Sequence, residues 1–131
     1  MTAPQSPHTD HIGAVAERTG LSLRTLRHYD EVGLVTPSSR SDGGFRLYTD
    51  ADVERILLVR RMKPLGFTLE EMGDLLSLAS TLESNPGTDA HARLDDYLAS
   101  ARERRDALRA ENAKLKVELE EVRAGRVAAV A

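Results

Sequence analysis

The chain has 131 residues, of which 40% are hydrophobic and 30% are charged, and it contains no cysteine. This length suits one compact domain with one extended element, and the lack of cysteine excludes disulfides, thiolate metal sites, iron–sulfur ligation and cysteine nucleophiles. Aromatic residues make up only 4%, so we expect a mostly helical protein with an aliphatic core.

The formal net charge of −3 conceals an asymmetry along the chain. Residues 1–66 carry 9 basic and 8 acidic side chains, whereas residues 67–131 carry 9 basic and 13 acidic side chains. The acidic average therefore does not argue against a nucleic-acid partner for the first half. The sequence has no apolar run long enough for a membrane span and no signal-peptide core, which predicts a soluble, cytoplasmic protein without a membrane partner.

Two short helices are predicted near the beginning of the chain, after a Pro-, Ser- and Thr-rich arm over residues 1–11. The first has its apolar residues at helical spacing and ends at Gly20. Ser22 is placed to cap the second, which ends at Gly33. Two short helices joined at a glycine indicate a helix-turn-helix. The side chains predicted to face inward from the second helix are Leu23, Leu26 and Tyr29.

A β-hairpin and two further helices are predicted next. The turn-rich segment 41–44 and the alternating residues 45–48 predict the hairpin. Thr49 and Thr68 each precede an acidic residue by three positions, which is the capping-box spacing at the beginning of a helix. The segment 84–87, Ser-Asn-Pro-Gly, ends the second of these helices.

The longest helical pattern covers residues 88–124, and its apolar residues follow the alternating four- and three-residue steps of a heptad seam. A helix of about 37 residues would be roughly 55 Å long and could not bury its stripe against so small a domain. The pattern therefore predicts a partner helix. Two seam positions are polar, Arg105 and Asn112, and Asn112 either fixes register or is tolerated at a half-exposed seam. The predicted dimerisation residues are Leu94, Leu98, Ala101, Leu108, Asn112, Leu115, Leu119 and Val122.

A series of short motifs occurs in a fixed order between residues 12 and 79. They are Ile12-Gly13, Val15-Ala16, Gly20-Leu21-Ser22, Arg24-Thr25-Leu26-Arg27-His28-Tyr29-Asp30, Gly33-Leu34, Gly44-Phe45-Arg46-Leu47-Tyr48, Asp52-Val53 and Leu65-Gly66-Phe67-Thr68-Leu69-Glu70-Glu71. In this order and spacing they resemble the DNA-binding domain of the MerR family of bacterial transcription regulators. The resemblance implies a winged helix-turn-helix, a second helix-turn-helix pair and a long helix that forms an antiparallel coiled coil in a homodimer.

The expected fold class is mostly α, with a winged helix-turn-helix DNA-binding domain followed by a long dimerising coiled-coil helix. The expected segments are a flexible arm over 1–11, the DNA-binding domain over 12–83, the dimerisation helix over 88–124 and a flexible tail over 125–131.

The resemblance assigns DNA contacts to two sets of side chains. Those offered to the major groove by the recognition helix are Arg24, Thr25, Arg27 and His28. Those expected on the wing and at phosphates are Arg46, Tyr48, Arg60, Arg61 and Lys63. Three alternatives stay open. Arg27 could pair with Asp30 or Glu31. Tyr48 could pack beneath the wing, and the basic residues of 60–63 could form a solvated face.

Other functions have less support in the sequence. His8 and His11 have a possible ligand spacing, and His91 lies near three aspartates, but without cysteines we expect surface histidines, no metal and no cofactor. The chain has no Gly-rich phosphate loop, His-Glu-x-x-His motif or nucleophile elbow, so we predict that it is not an enzyme. The remaining alternative is a DNA-architectural or excisionase-like factor that bends DNA without an effector, which a molecular-mass measurement distinguishes from a dimeric regulator.

The expected partners are double-stranded DNA, a second copy of the chain and, by resemblance, RNA polymerase at a promoter whose spacer the dimer distorts. Metal- and redox-sensing relatives hold their effector with cysteines, and drug-sensing relatives append a ligand-binding domain. The sequence has no cysteine and ends soon after Val122, so we expect control by abundance alone or by an unidentified small-molecule or protein effector. The apolar residues considered for an effector surface, or for packing the coil against the DNA-binding domain, are Leu78, Leu82, Tyr97 and Leu98.

Overall fold

The computed structural model describes residues 8–85 and 89–126. Within these residues it contains five α-helices, one 3-10 helix and a three-stranded sheet. The chain divides into two compact units, Met1–Ser77 and Leu78–Ala131. In the described part of the chain, no helix combines the length and the apolar character needed to cross a membrane.

Helices α1 (Ile12–Thr19) and α2 (Leu23–Glu31) form the predicted helix-turn-helix pair. Gly20 ends α1 in the left-handed conformation, with φ of 69°, and its N–H donates to the carbonyl oxygen of Ala16. The Ser22 hydroxyl accepts a hydrogen bond from the backbone N–H of Thr25 and caps α2. Both helix boundaries therefore follow from local sequence signals.

The inward face of α2 differs from the prediction at one residue. Leu26 and Tyr29 are buried, but Leu23 is 39% exposed, so the prediction that Leu23 faces the core is wrong. Leu23 is the first residue of α2. Side chains on a helix point back toward its N-terminus, so a side chain at this position extends beyond the first turn instead of packing on it.

Strands β1 (Thr9–His11), β2 (Ser39–Arg40) and β3 (Arg46–Thr49) form an antiparallel sheet in the order β1-β3-β2. The pair β2 and β3 is the predicted hairpin, in which Ser39 lies opposite Leu47 and Arg40 opposite Arg46.

Strand β1 corrects the prediction of a flexible arm over residues 1–11, because Thr9–His11 pairs with the second edge of β3. The guanidinium of Arg18 donates to the carboxylates of Asp10 at 2.6 Å and Asp50 at 3.2 Å, which ties the strand to the helices beside it. The remainder of the predicted arm, residues 1–7, lies outside the described residues.

Both predicted capping boxes are present. At the start of α3 (Asp50–Met62) the Thr49 N–H donates to the Asp52 carboxylate at 2.9 Å and the Asp52 N–H donates to the Thr49 hydroxyl at 3.1 Å. Thr68 and Glu71 repeat this exchange, at 2.9 and 3.1 Å, before α4 (Leu69–Ser84). A 3-10 helix, Lys63–Leu65, separates the two helices.

The first unit has an aliphatic core with two tyrosines. Among the described residues, its buried hydrophobic side chains are Val15, Leu26, Tyr29, Val35, Tyr48, Val53, Ile56, Val59, Met62, Phe67, Met72 and Leu76. Ten of these residues come from α1 to α4 and from β3, and Val35 and Phe67 come from connecting segments, so the wing and the helices share one core.

The second unit contains α5 (Ala90–Arg123), a 34-residue helix that lies within the predicted segment 88–124. At ~1.5 Å per residue, α5 is about 51 Å long. The division between the units falls inside α4, before the predicted domain end at residue 83, and Leu78 and Ala90 are buried in the second unit. Residues 86–88 and 127–131, which include parts of the predicted break and tail, lie outside the described residues.

Candidate nucleic-acid interface

The outer face of α2 lines an open groove of about 720 Å³. Its lining residues are Arg24, Thr25, Arg27, His28, Tyr29, Glu31 and Lys63. The structure therefore brings together the four side chains predicted to read bases, together with one predicted phosphate contact. Three of the lining residues are permanently cationic and one is acidic, which gives the groove the charge that a DNA backbone attracts.

The buried face of α2 holds the groove in place. Tyr29 is 2% exposed, and the ammonium of Lys63 lies 5.7 Å from the centre of its ring, within the range of a cation–π contact. This contact places a positive charge from the 3-10 helix beside the recognition helix. Thr25 has a second role in capping α2, because its hydroxyl oxygen lies 2.9 Å from that of Ser22.

A cluster of Asp30, Arg40 and Arg46, which we call the wing clamp, joins the end of α2 to the β2–β3 hairpin. The Asp30 carboxylate accepts from Nε of Arg46 at 2.6 Å and from Nη2 of Arg40 at 3.2 Å. The hydrogen bond from Arg46 to Asp30 raises the pKa of the Arg46 guanidinium above its ordinary value. Because Asp30 pairs with the wing, the structure does not support the alternative in which Arg27 pairs with Asp30.

No role in positioning the wing was predicted from the sequence for Asp30 or Arg40. A signal was available, because an acidic residue in the last turn of a helix opposes the helix dipole and is favourable only with a partner. Asp30 lies in the last turn of α2. The partners are ten and sixteen residues away along the chain, which is too far for helical spacing to predict.

Tyr48 is placed under the wing and not on its surface. The residue is 1% exposed, which supports packing beneath the wing over the predicted phosphate contact. Burial raises the pKa of its hydroxyl, and within the described residues the hydroxyls of Tyr48 and Tyr29 have no hydrogen-bond partner. The ring belongs to the core because β3 alternates its side chains between the two faces of the sheet.

The buried carboxylate of Asp52 fixes the segment that precedes the wing. It accepts hydrogen bonds from the Ser38 N–H at 2.9 Å and the Ser38 hydroxyl at 2.8 Å, in addition to the capping bond from Thr49. Burial opposes ionisation, but the hydrogen bonds from Thr49 and Ser38 outweigh it and hold the pKa of Asp52 below its ordinary value. The sequence predicted only the capping role.

The two arginines of α3 that were predicted to contact phosphates lie outside the lining of the groove. Arg60 and Arg61 are both exposed, and a Cβ at Gly20 would lie 3.8 Å from Nη2 of Arg60. The Arg60 guanidinium therefore sits beside the C-terminal end of α1, where a cation is favourable to the helix dipole. Both arginines stay candidate phosphate contacts.

The predicted dimerisation residues lie along α5 with much of their surface uncovered. The seam residues Leu98, Leu108, Leu115, Leu119 and Val122 are 40 to 59% exposed. Leu94 and Ala101 are half-buried. A stripe of large apolar side chains at this spacing is the surface that a second helix covers in a coiled coil.

The effector surface and the histidines were also considered in the sequence. Leu78 is buried, which does not support the effector-surface alternative at this residue, whereas Leu98 is 49% exposed. His8 lies 3.1 Å from the Asp10 carboxylate. Among the described residues, no group of three or more His, Asp or Glu side chains has the arrangement of a metal site.

Two protein-family models match the chain. The family model described as "MerR HTH family regulatory protein" matches residues 11–78, and the model described as "MerR, DNA binding" matches residues 53–123. The chain belongs to the MerR family. This assignment confirms the resemblance and the expected fold class, and it agrees with the prediction of a DNA-binding regulator that is not an enzyme.

Individual members of the MerR family show the same similarity. The HTH-type transcriptional activator TipA of Streptomyces coelicolor is 42% identical over 93 residues, which cover 70% of this chain and 34% of TipA. The HTH-type transcriptional regulator CueR of Salmonella typhi is 44% identical over 68 residues, 52% of this chain and 49% of CueR. The chain thus spans only a third to a half of these curated relatives.

A solved MerR-family structure shares the fold over most of the chain. The crystal structure of a MerR-family transcriptional regulator from Bacillus cereus is 25% identical, has a TM-score of 0.63, and covers 89% of this chain and 79% of that one.

Proposed function

We propose that this MerR-family chain is a sequence-specific transcriptional regulator that binds duplex DNA in the cytoplasm with the groove lined by α2. The observation that carries the proposal is the groove itself, in which Lys63 lies near the exposed side chains of Arg24, Arg27 and His28. These three residues are on the outer face of α2, a helix that is capped at its beginning and packs its other face into the core. Arginine and histidine side chains on such a helix can donate to base edges in a major groove. The TipA and CueR relatives are named transcriptional regulators.

Selection from a pool of random duplexes tests this proposal and supplies the operator sequence. We expect enrichment of one sequence class. Arg24→Ala should lower the preference for the operator by about 1–3 kcal/mol and relax the selected sequence at one position, because a base contact is lost. Lys114→Ala, which removes a positive charge from α5, is the matched control and should leave the preference unchanged. Equal weakening of operator and random DNA by Arg24→Ala would contradict base reading.

We propose in addition that the regulator acts as a homodimer at a pseudo-palindromic site, with the seam of α5 as the dimer contact. The uncovered leucines of α5 support this, because a lone helix in water does not stably expose such a stripe. Two recognition helices related by a two-fold axis would then occupy successive major grooves. A monomeric architectural factor is the competing function, and sedimentation equilibrium that finds a stable monomer at micromolar concentration would favour it.

The mode of regulation proposed here, by resemblance, is distortion of the promoter spacer so that RNA polymerase engages both promoter elements. Bending a site of this kind costs about 1–6 kcal/mol, which dimer contacts must offset. Footprinting with and without polymerase separates the modes. Protection between the promoter elements with central hypersensitivity supports distortion, whereas a footprint over the start site supports simple occlusion.

A further inference from the structure

The wing strand β3 lies in the middle of the sheet and has a neighbour on each side. On one side it pairs with β2, and the wing clamp binds Arg46 at the beginning of β3 through Asp30. On the other side it pairs with β1, where Thr9 lies opposite Thr49. Strand β1 is only three residues long, and so short a pairing is not stable by itself. The position of β3 therefore depends on the contacts that hold β1 in place.

The guanidinium of Arg18, in the last turn of α1, makes such contacts. Its Nη1 donates to the Asp10 carboxylate of β1 at 2.6 Å and to the Asp50 carboxylate at 3.2 Å. Asp50 is the first residue of α3 and directly follows β3 in the chain. We call these three residues the Arg18 bridge. The bridge joins α1, β1 and α3 at the end of β3 that is farther from the wing turn.

The Arg18 guanidinium is engaged by the protein itself. The hydrogen bond between Arg18 and Asp10 raises the pKa of the guanidinium and lowers the pKa of the carboxyl group, so both groups are charged and paired near neutral pH. Among the described residues, the lining of the α2 groove does not include Arg18. The two partners are eight and thirty-two positions away along the chain, so helical spacing does not predict the bridge.

The packing of β3 explains how the bridge can influence the wing. Of the four residues of β3, only Tyr48 is buried, and the other three are half-buried. A strand that is anchored in the core by one ring can rotate about that ring unless contacts at its ends prevent the rotation. The end residues Arg46 and Thr49 are about 10 Å apart. A rotation that moves Thr49 therefore also moves Arg46.

We propose that Arg18 is a positioning residue for DNA recognition, which fixes the wing through β1 and β3 without touching DNA itself. This inference rests on the DNA-binding regulator proposed above and adds a residue that the predicted DNA contacts do not include. The wing clamp restrains the beginning of β3, and the Arg18 bridge restrains its end. With both restraints in place, Arg46 can meet a phosphate while α2 occupies the major groove.

Two variants that remove charges of opposite sign test the proposal. Arg18→Gln removes a cation and Asp10→Asn removes an anion, so charge alone predicts weaker binding to random duplex DNA for the first and tighter binding for the second. Loss of the bridge predicts in addition that both variants lower the ratio of operator to random affinity, by about threefold. Fluorescence anisotropy with the selected operator and with a scrambled duplex measures both affinities.

Arg126→Gln is the matched control for the loss of a paired cation. Arg126 is also an exposed arginine that binds a carboxylate at 2.6 Å, that of Glu121, but it lies in the second unit. This variant should leave the ratio of operator to random affinity unchanged. An equal fall of the ratio in Arg126→Gln would show that the loss of any paired arginine has this effect, and it would overturn the role of the bridge.

Double variants show whether Arg18 acts through β1. Because Arg18 acts through Asp10, the ratio for Arg18→Gln/Asp10→Asn should be within about twofold of that for Arg18→Gln alone. Arg18→Gln/Asp30→Asn removes both restraints on β3 and should lower the ratio by at least the product of the two single effects. A first double variant that shows the full product of its single effects would contradict action through Asp10.

Amide hydrogen exchange reports on the wing strand directly. In Arg18→Gln we expect exchange in a peptide that covers residues 46–49 to accelerate by about threefold or more, while exchange in α4 stays unchanged. Because the bridge lies at the surface, the unfolding midpoint should stay within about 3 °C of the wild-type value. Faster exchange throughout the first unit would show general destabilisation and would overturn the positioning role.

Two further results would overturn the proposal and leave the DNA-binding regulator intact. A ratio that falls in Arg18→Gln but not in Asp10→Asn would show direct contact between Arg18 and DNA. Unchanged ratios in both variants would show that the bridge does not position the wing. A wild-type protein that enriches no operator sequence would instead overturn the proposed regulator, and the role of Arg18 with it.

Discussion

At the scale of single residues, two carboxylates hold the wing in place. Asp52 is 1% exposed and joins the segment before the hairpin to the start of α3. Asp30 joins the end of α2 to both strands of the hairpin through Arg40 and Arg46. Neither carboxylate is proposed to touch DNA, but both hold elements that carry residues proposed to contact DNA.

Asp52→Asn should destabilise the first unit, because an amide cannot accept all the hydrogen bonds that the carboxylate accepts. Loss of one such buried partner costs about 1–3 kcal/mol, which thermal or urea unfolding at pH 7 measures. Asp42→Asn, at an exposed turn of the wing, is the control and should change little.

The effect of Asp52 should also depend on pH. Its pKa is lowered in the folded protein, so its contribution is complete above the unfolded value of about 3.9 and is lost as the pH falls through the lower folded value. The stability difference between wild type and Asp52→Asn should therefore be constant near neutrality and shrink below about pH 4. A difference that grew on acidification would contradict this account.

Asp30→Asn should loosen the wing and release two guanidiniums from their shared carboxylate. We expect affinity for random DNA to hold or rise, because more positive charge is available to phosphates, and the ratio of operator to random affinity to fall. Glu31→Gln removes a neighbouring negative charge that is outside the wing clamp. It should raise both affinities alike, so a similar loss of selectivity in Glu31→Gln would show that charge alone, not wing position, is responsible.

At the scale of elements, α5 differs from the other helices in the exposure of its apolar residues. The helices α1 to α4 contribute to the core of the first unit, whereas the leucine seam of α5 is largely exposed in the single chain. A long helix is stable in water mainly when its apolar face is packed. The seam therefore links oligomeric state to the folding of α5.

Leu108→Asp/Leu115→Asp should abolish both the dimer and operator binding, because the charges cannot be buried in the seam. Val117→Asp is the matched control, since Val117 is equally apolar and 55% exposed but lies outside the seam. Sedimentation equilibrium and gel-shift titration measure the two properties. Retention of the dimer in the double aspartate variant would place the contact elsewhere on the chain.

At the scale of the whole molecule, the acidic net charge of −3 conceals a basic groove, the one proposed to bind DNA. The acidic excess comes from residues 67–131, while the groove is lined by residues of the first unit. The local field around the groove, and not the average charge, governs attraction to a phosphate backbone.

Operator affinity should therefore fall steeply with salt concentration, in spite of the acidic composition. Arg46→Ala should reduce the slope of log affinity against log salt by about one, as expected for one lost phosphate contact. Because it also breaks the wing clamp, it should lower the ratio of operator to random affinity as Asp30→Asn does. Filter binding or fluorescence anisotropy measures the slope at salt concentrations from about 50 to about 200 mM, the range over which counterion release changes DNA affinity strongly. An unchanged slope would mean that Arg46 serves the wing clamp only.

The elements whose signals are local could be predicted from the amino-acid sequence alone. The glycine after α1, the serine cap of α2, both capping boxes and the heptad of α5 involve residues within a few positions of each other, where backbone geometry alone links sequence to structure. Four residues of the groove, Arg24, Thr25, Arg27 and His28, were also predicted, because they alternate with buried Leu26 and Tyr29 at helical spacing.

The contacts between distant residues could not be predicted from the sequence and are seen only in the folded chain. Thr9 pairs with Thr49 across forty positions of chain, and Asp30 pairs with Arg46 of the wing. The burial of Tyr48 and the exposure of Leu23 likewise depend on which element lies above each side chain. Hydrophobic pattern and helix propensity describe a residue relative to its neighbours in sequence, whereas strand pairing and burial are set by the free energy of the whole core.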